Sequence, residues 1–167
     1  MIKLLFSASI SAIFFGLFGV SWNEVDERIA SEFPTVAFVT GPQLLETLAT
    51  DSGSDPVLID VREPEEFAVS HLSKAYNLTD GAAIAALIPD KSAPIVVYCS
   101  VGYRSAGIAA ELQRLGYSNV RNLQHSLFEW ANRGYPMENA AGPTSHVHPF
   151  NRAWGALVSP DLRSYSP

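Results

Sequence analysis

From residue 36 onward, short apolar runs alternate with stretches in which apolar residues recur every three or four positions. The runs at 36–39, 57–59, 75–78, 95–98 and 119–123 predict strands, the third of them weak. Ile95-Val96-Val97-Tyr98 is apolar throughout, as a strand buried on both faces in the middle of a parallel sheet should be. Thr40 and Pro42 open a helix whose apolar face is Leu44, Leu45 and Leu48. Shorter helices are predicted over 65–69 and 82–88, the second stopped by Pro89. Ile108, Leu112 and Leu115 line a helix over 105–115 that stops at Gly116. A last short helix covers 126–132, ahead of Gly134 and Pro136, and 51–56 is a loop rich in Ser, Gly, Asp and Pro. Strands and helices alternating at this spacing predict an α/β fold, a parallel sheet with helices on both faces.

The two ends have a different texture. After Lys3, residues 4–22 carry no charge, a stretch long for a signal-peptide core and just long enough to span a bilayer. Gly19-Val20-Ser21 offers small residues for a weak cleavage site. Lys3 lies before the stretch and Glu24, Asp26 and Glu27 lie after it, which favours a cytoplasmic N-terminus. The expectation is that 1–22 is a signal peptide or a retained membrane anchor. The body would then be extracytoplasmic: periplasmic, or tethered and facing outward. Residues 23–35 are polar and mildly helical, a linker or lead-in helix. The domain proper is expected over 36–137, followed by a C-terminal extension, 138–167, docked through Phe150, Trp154 and Leu157.

Composition narrows the chemistry. A chain of 167 residues, 47% hydrophobic, suits one domain with short extensions. The net charge of −6 and the scattered Lys and Arg argue against nucleic acid as a partner. Cys99 is the single cysteine, so no intramolecular disulfide and no Cys-rich zinc site can form. His146 and His148 share one face if extended, but two histidines are too few for a specific metal site. No metal or other cofactor is expected.

The loop Cys99-Ser100-Val101-Gly102-Tyr103-Arg104-Ser105 joins the most apolar strand to a helix beginning near Ser105. The helix's free amides and dipole face the loop. Gly102 permits backbone angles closed to other residues, so successive N–H groups can converge into a nest. Such a nest stabilises the charge of a thiolate. Arg104 adds a permanent positive charge able to grip an anion. The parts suit binding an oxyanion and attacking it from Cys99.

Val57-Leu58-Ile59-Asp60-Val61-Arg62, then Glu66-Phe67 and His71, then residues 95–105, resemble the rhodanese family in order and spacing, over about 36–137. The resemblance implies a five-stranded parallel sheet, with Cys99 as the sulfur-carrying nucleophile and residues 100–105 as the anion cradle. Thiosulfate or another small sulfur-containing anion, or a protein persulfide, would be the donor, and a thiol or cyanide the acceptor. Related cysteine phosphatases and arsenate reductases place one more residue between Cys and Arg; here four intervene. The family pattern implies a cradle fitted to sulfane sulfur rather than phosphate or arsenate. A non-catalytic persulfide carrier or sulfur-sensing module is the alternative. Asp60 and Arg62 read as an ion pair fixing the neighbouring loop, and His71 as a structural hydrogen-bonder. Two segments depart from the family. Residues 70–75 replace a common Gly-His-Ile-Pro-Gly-Ala. Gln124-His125-Ser126 stands where a Gly-Gly pair is common beside the active site, so His125 is expected either to narrow the pocket mouth or to point away from it into solvent. Residues 122–132 and 146–155 resemble an exported bacterial subgroup with a His-Pro-Phe-Asn extension.

Overall fold

The computed structural model describes residues 20–50, 53 and 55–167. Five strands form one parallel sheet: β1 (Ala37–Val39), β2 (Val57–Asp60), β3 (Tyr76–Asn77), β4 (Ile95–Tyr98) and β5 (Val120–Leu123). Their spatial order is β1-β5-β4-β2-β3. The helices are α1 (Trp22–Glu32), α2 (Gly41–Ala49), α3 (Pro64–Val69), α4 (Gly81–Leu87), α5 (Tyr103–Arg114) and α6 (Ser126–Asn132). The α/β class, the five parallel strands and the helices on both faces agree with the expectation from sequence.

Strand periodicity sorts the core onto two sides. Leu58, Val96, Tyr98 and Leu123 pack with Leu44 of α2 and Leu127, Phe128 and Trp130 of α6; Val25 and Ile29 of α1 join them. The alternate residues, Ile59, Ile95 and Val97, pack with Ile84 of α4 and Ala109 and Leu112 of α5. β4 is central and wholly buried, which is why its sequence lacks a polar position. From β2 the chain turns outward to β3, and from β4 it turns the other way to β5. The carboxyl ends of β2 and β4 therefore flank the point where the winding reverses, the place where open α/β sheets leave a crevice.

The ends depart from the expectation. Residues 1–19 of the proposed leader lie outside the described residues, as do 51, 52 and 54 of the 51–56 loop. Val20, Ser21 and Trp22, grouped with the leader by hydropathy, belong to the folded body. Val20 is buried in the core. Ser21 caps α1 in a reciprocal pair with Glu24, its hydroxyl accepting from the Glu24 amide. Among the described residues no helix is long and apolar enough to cross a membrane. α5 begins at Tyr103, two residues before the predicted start, so Arg104 rides on the first helical turn. At the C-terminal end, an antiparallel hairpin of β6 (Met137–Asn139) and β7 (Gly142–Thr144) leads into α7 (Arg152–Gly155) and a 3-10 turn at Pro160–Leu162. None of these was predicted, because each is too short to show a hydrophobic period.

Candidate active site

Cys99 directly follows β4 and lines a cavity of about 240 Å³. Three carbonyls of its loop are held from outside. The Cys99 carbonyl accepts from the Leu127 amide at 3.1 Å and the Ser100 carbonyl from the Phe128 amide at 3.0 Å. These donors belong to the first turn of α6, whose amides have no helical acceptor of their own. The Gly102 carbonyl accepts from Asn122 Nδ2 at 2.8 Å and the Ala106 amide at 3.1 Å. With carbonyls drawn outward, N–H groups turn in. The Gly102 amide donates to Cys99 Sγ at 3.2 Å, and the Ser105 hydroxyl stands 3.5 Å from the same sulfur. Gly102 has φ of 103°, a left-handed angle that a side chain would resist. The amides opening α5 add the positive end of its dipole. Cys99, Ser100, Val101, Gly102, Tyr103, Arg104 and Ser105 are thus brought into one curl around a sulfur atom.

Arg104 lines the cavity, as a residue able to grip an anion should, and is at the same time held by side chains of the protein. Its guanidinium bonds both oxygens of Glu66 at 2.8 Å and also Ser100 Oγ at 3.0 Å. Ser100 Oγ donates to Glu66 at 2.9 Å. Burial would push the Glu66 carboxyl up, but the Arg104 bonds and charge, with the Glu63 amide, hold it below its usual range. Burial likewise opposes the charge of Arg104, yet Glu66 and the neighbouring Cys99 sulfur raise its pKa. Glu66 is therefore the residue that fixes Ser100 and Arg104 relative to the cysteine. Sequence alone marks it only as one residue of the family-like run. Its bonds cross 34 and 38 residues of chain, which no local pattern reveals.

Asp60 and Arg62 are fully buried together, with Arg62 Nη2 2.7 Å from Asp60 Oδ2. Arg62 also donates to the Ser70 carbonyl at 2.6 Å, and its own carbonyl accepts from Asn77 Nδ2 at 2.7 Å. Burial opposes the Arg62 charge, and Asp60 outweighs it, raising the pKa. The pair bolts the turn between β2 and α3, the helix that carries Glu66. His71 stacks on Phe67 at 3.9 Å, and its Nδ1 lies 3.0 Å from the Phe67 carbonyl.

His125 does not narrow the pocket mouth. Its side chain points to α1: Nε2 lies 3.0 Å from Asp26 and Nδ1 2.7 Å from Glu129, and the ring stacks on Trp22 at 4.3 Å. The reason is backbone conformation. His125 and Ser126 have φ of 56° and 46°, both left-handed. Two such residues in succession suit glycine, and each costs other residues about 1–2 kcal/mol. Here contacts offset the cost. Ser126 Oγ accepts from the Cys99 amide at 3.1 Å and donates to the Leu123 carbonyl at 3.0 Å. His125 ties the turn to the lead-in helix.

The extension reaches the site as well. Phe150 and Trp154 line the cavity at Cys99, together with Arg28 of α1 and Tyr103. Trp154 and Leu157 pack partly buried on the core. Phe150 instead stands over the Arg104 guanidinium, 4.7 Å from ring centroid to Cζ. His146 and His148 flank the buried Val147. His148 Nδ1 accepts from the Phe150 amide at 3.1 Å, and its ring meets Tyr165 edge-on. Among the described residues no cluster of three or more His, Cys, Asp or Glu could hold a metal.

A family model described as Rhodanese-like domain matches residues 42–133, more than half of the chain. The thiosulfate sulfurtransferase GlpE of Pseudomonas fluorescens is 36% identical over 88 residues, covering 52% of this chain and 79% of that protein. A probable adenylyltransferase/sulfurtransferase, MoeZ of Mycobacterium tuberculosis, is 35% identical over 91 residues, 52% of this chain but only 23% of that protein. Among solved structures, a thiosulfate sulfurtransferase from Pseudomonas aeruginosa superposes with a TM-score of 0.60 at 19% identity. That likeness is one of fold and covers 71% of this chain and 23% of the other.

Proposed function

The chain belongs to the rhodanese-like sulfurtransferase family, and on that premise we propose that it moves sulfane sulfur through a persulfide on Cys99. The observation that carries this is the sulfur itself: Cys99 lines a cavity, and its Sγ has the Gly102 amide at 3.2 Å and the Ser105 hydroxyl at 3.5 Å. Donors placed this way stabilise negative charge on sulfur before and after transfer. The Cys99 thiolate attacks the outer sulfur of a donor such as thiosulfate. The sulfur–sulfur bond of the donor breaks and sulfite leaves with the electron pair. The charge now rests on the terminal sulfur of the persulfide, still facing the same donors. An acceptor thiolate or cyanide attacks that sulfur and returns Cys99 as thiolate. No general base is needed while the nucleophile is already ionised.

Exposure of the purified protein to thiosulfate should add the mass of one sulfur atom, removed again by cyanide. Cys99→Ser should take up none while keeping the wild-type melting profile. An unchanged intact mass with thiosulfate and with other sulfane donors would sink the proposal.

A further inference from the structure

Both arginines lining the cavity at Cys99 are paired with carboxylates before any substrate arrives. Arg28 lies 2.9 Å from Glu32, and its Nη2 bonds the Tyr103 hydroxyl at 3.2 Å. Arg104 lies 2.8 Å from Glu66 and carries Phe150 on one face. Each cation lining the cavity thus has a carboxylate partner. Beside Cys99 and Ser100, the rest of the lining is largely apolar: Val101, the Tyr103 ring, Phe150 and Trp154.

That wall is constructed rather than incidental. Phe150 is 41% exposed, so its ring lies against Arg104 at the cavity instead of sinking into the core. Its φ is 63°, a left-handed angle unfavourable for an aromatic residue, and backbone outliers of this kind gather at ligand sites. Asn151 caps α7 by accepting from the Trp154 amide at 3.0 Å. A Cβ at Gly155 would stand 3.0 Å from Pro149, so glycine there lets the helix carrying Trp154 close down.

A dianion entering such a cavity sheds the hydration of two charges and meets, beyond the loop amides, only cations that already have carboxylate partners. A monoanionic donor sheds the hydration of one charge, and the apolar group it carries sheds only unfavourable contact with water. We infer that this site takes its sulfur from an organic sulfane donor, a persulfide or thiosulfonate whose sulfur is borne by an apolar group, in preference to inorganic thiosulfate. Phe150 and Trp154 are the specificity-determining residues. The inference rests on the proposed transfer through Cys99. With a thiosulfonate, the Cys99 thiolate attacks the outer sulfur, the sulfur–sulfur bond breaks, and a sulfinate leaves with the electron pair. One anion and one thiolate become one sulfinate and one persulfide anion.

The test uses the full chain and three donors: thiosulfate, methanethiosulfonate and benzenethiosulfonate. Second-order rates of Cys99 persulfidation are followed by intact mass, each divided by the donor's rate with a small free thiolate. Benzenethiosulfonate should exceed thiosulfate by tenfold or more and methanethiosulfonate by about threefold or more. Phe150→Ala and Trp154→Ala should each shrink the benzene-to-methane ratio at least threefold. Phe150→Leu, which keeps an apolar side chain, should shrink it less. Benzenethiosulfonate at or below thiosulfate in the wild type overturns the inference while leaving transfer through Cys99 intact. A ratio unmoved by both alanine variants overturns the role of the wall. Uptake from none of the donors removes the transferase reading and this inference together. Should an alanine variant melt early, the wild-type order of the three donors decides.

Discussion

At the scale of single residues, Glu66 decides how the cysteine loop is presented. Its carboxylate is almost fully buried and accepts four bonds, two from Arg104, one from Ser100 and one from the Glu63 amide. A buried acceptor that loses a charged partner costs about 1–3 kcal/mol or more, so the cluster stands or falls as a unit. Its pKa is held below the ordinary value of 4.5. A depressed carboxyl contributes stability that is complete above its unfolded pKa and is lost as pH falls through the folded one. Urea unfolding midpoints should therefore decline below about pH 4.5, and Glu66→Gln should decline less steeply there. At pH 7 the same variant should be less stable than wild type by about 1–3 kcal/mol. Parallel midpoint-against-pH curves for the two proteins would show that Glu66 is not the group responsible.

Among the elements, the junction between β5 and α6 does the most to shape the site. The first turn of α6 holds two carbonyls of the cysteine loop, and Ser126 holds the Cys99 amide. The chain reaches α6 only through the left-handed pair His125–Ser126. His125 recovers part of that cost through Asp26, Glu129 and Trp22, which also seats α1. Two substitutions separate the backbone from the side chain. His125→Ala keeps the conformational cost and loses the contacts, so it should destabilise by about 1–2 kcal/mol. His125→Gly loses the same contacts but relieves the backbone, and should be more stable than His125→Ala by about 1 kcal/mol. Urea denaturation of both settles the matter; an alanine variant as stable as the glycine one would refute strain at this turn.

On the scale of the whole molecule, the extension is part of the folding unit. Val147 and Val158 are buried in the same core cluster as Val96 and Phe128. Val147 pairs with Leu162 and Ser164 through its backbone, and Asn132 of α6 bonds Leu157 and Ser159. The family match ends at residue 133, so these contacts tie a segment beyond it to the matched domain. Val147→Ala and Val158→Ala should each cost about 1.5 kcal/mol or more, the value of two buried methyl groups plus the cavity they leave. Unfolding should remain one transition with a lowered midpoint. A separate early transition for the tail, or no shift at all, would show that it docks without joining the core.

The sequence by itself determined what short-range chemistry can specify. The apolar run 95–98 could only be a buried strand, and the Leu face of 44–48 only a helix against it. The loop from Cys99 to Ser105 announced a nest because glycine spacing and a following helix are local properties. The partners of that loop were hidden, since Glu66, Asn122, Leu127 and Phe150 reach it from distant points of the chain. His125 shows the limit most clearly. Its replacement of glycine was visible in the sequence, and its direction was not. A left-handed backbone turned the ring toward Asp26 and Trp22 and left the wall of the cavity to Phe150 and Trp154. Secondary structure follows periods of two and 3.6 residues, whereas a site follows contacts closed across the whole chain, and those exist only once the core has packed.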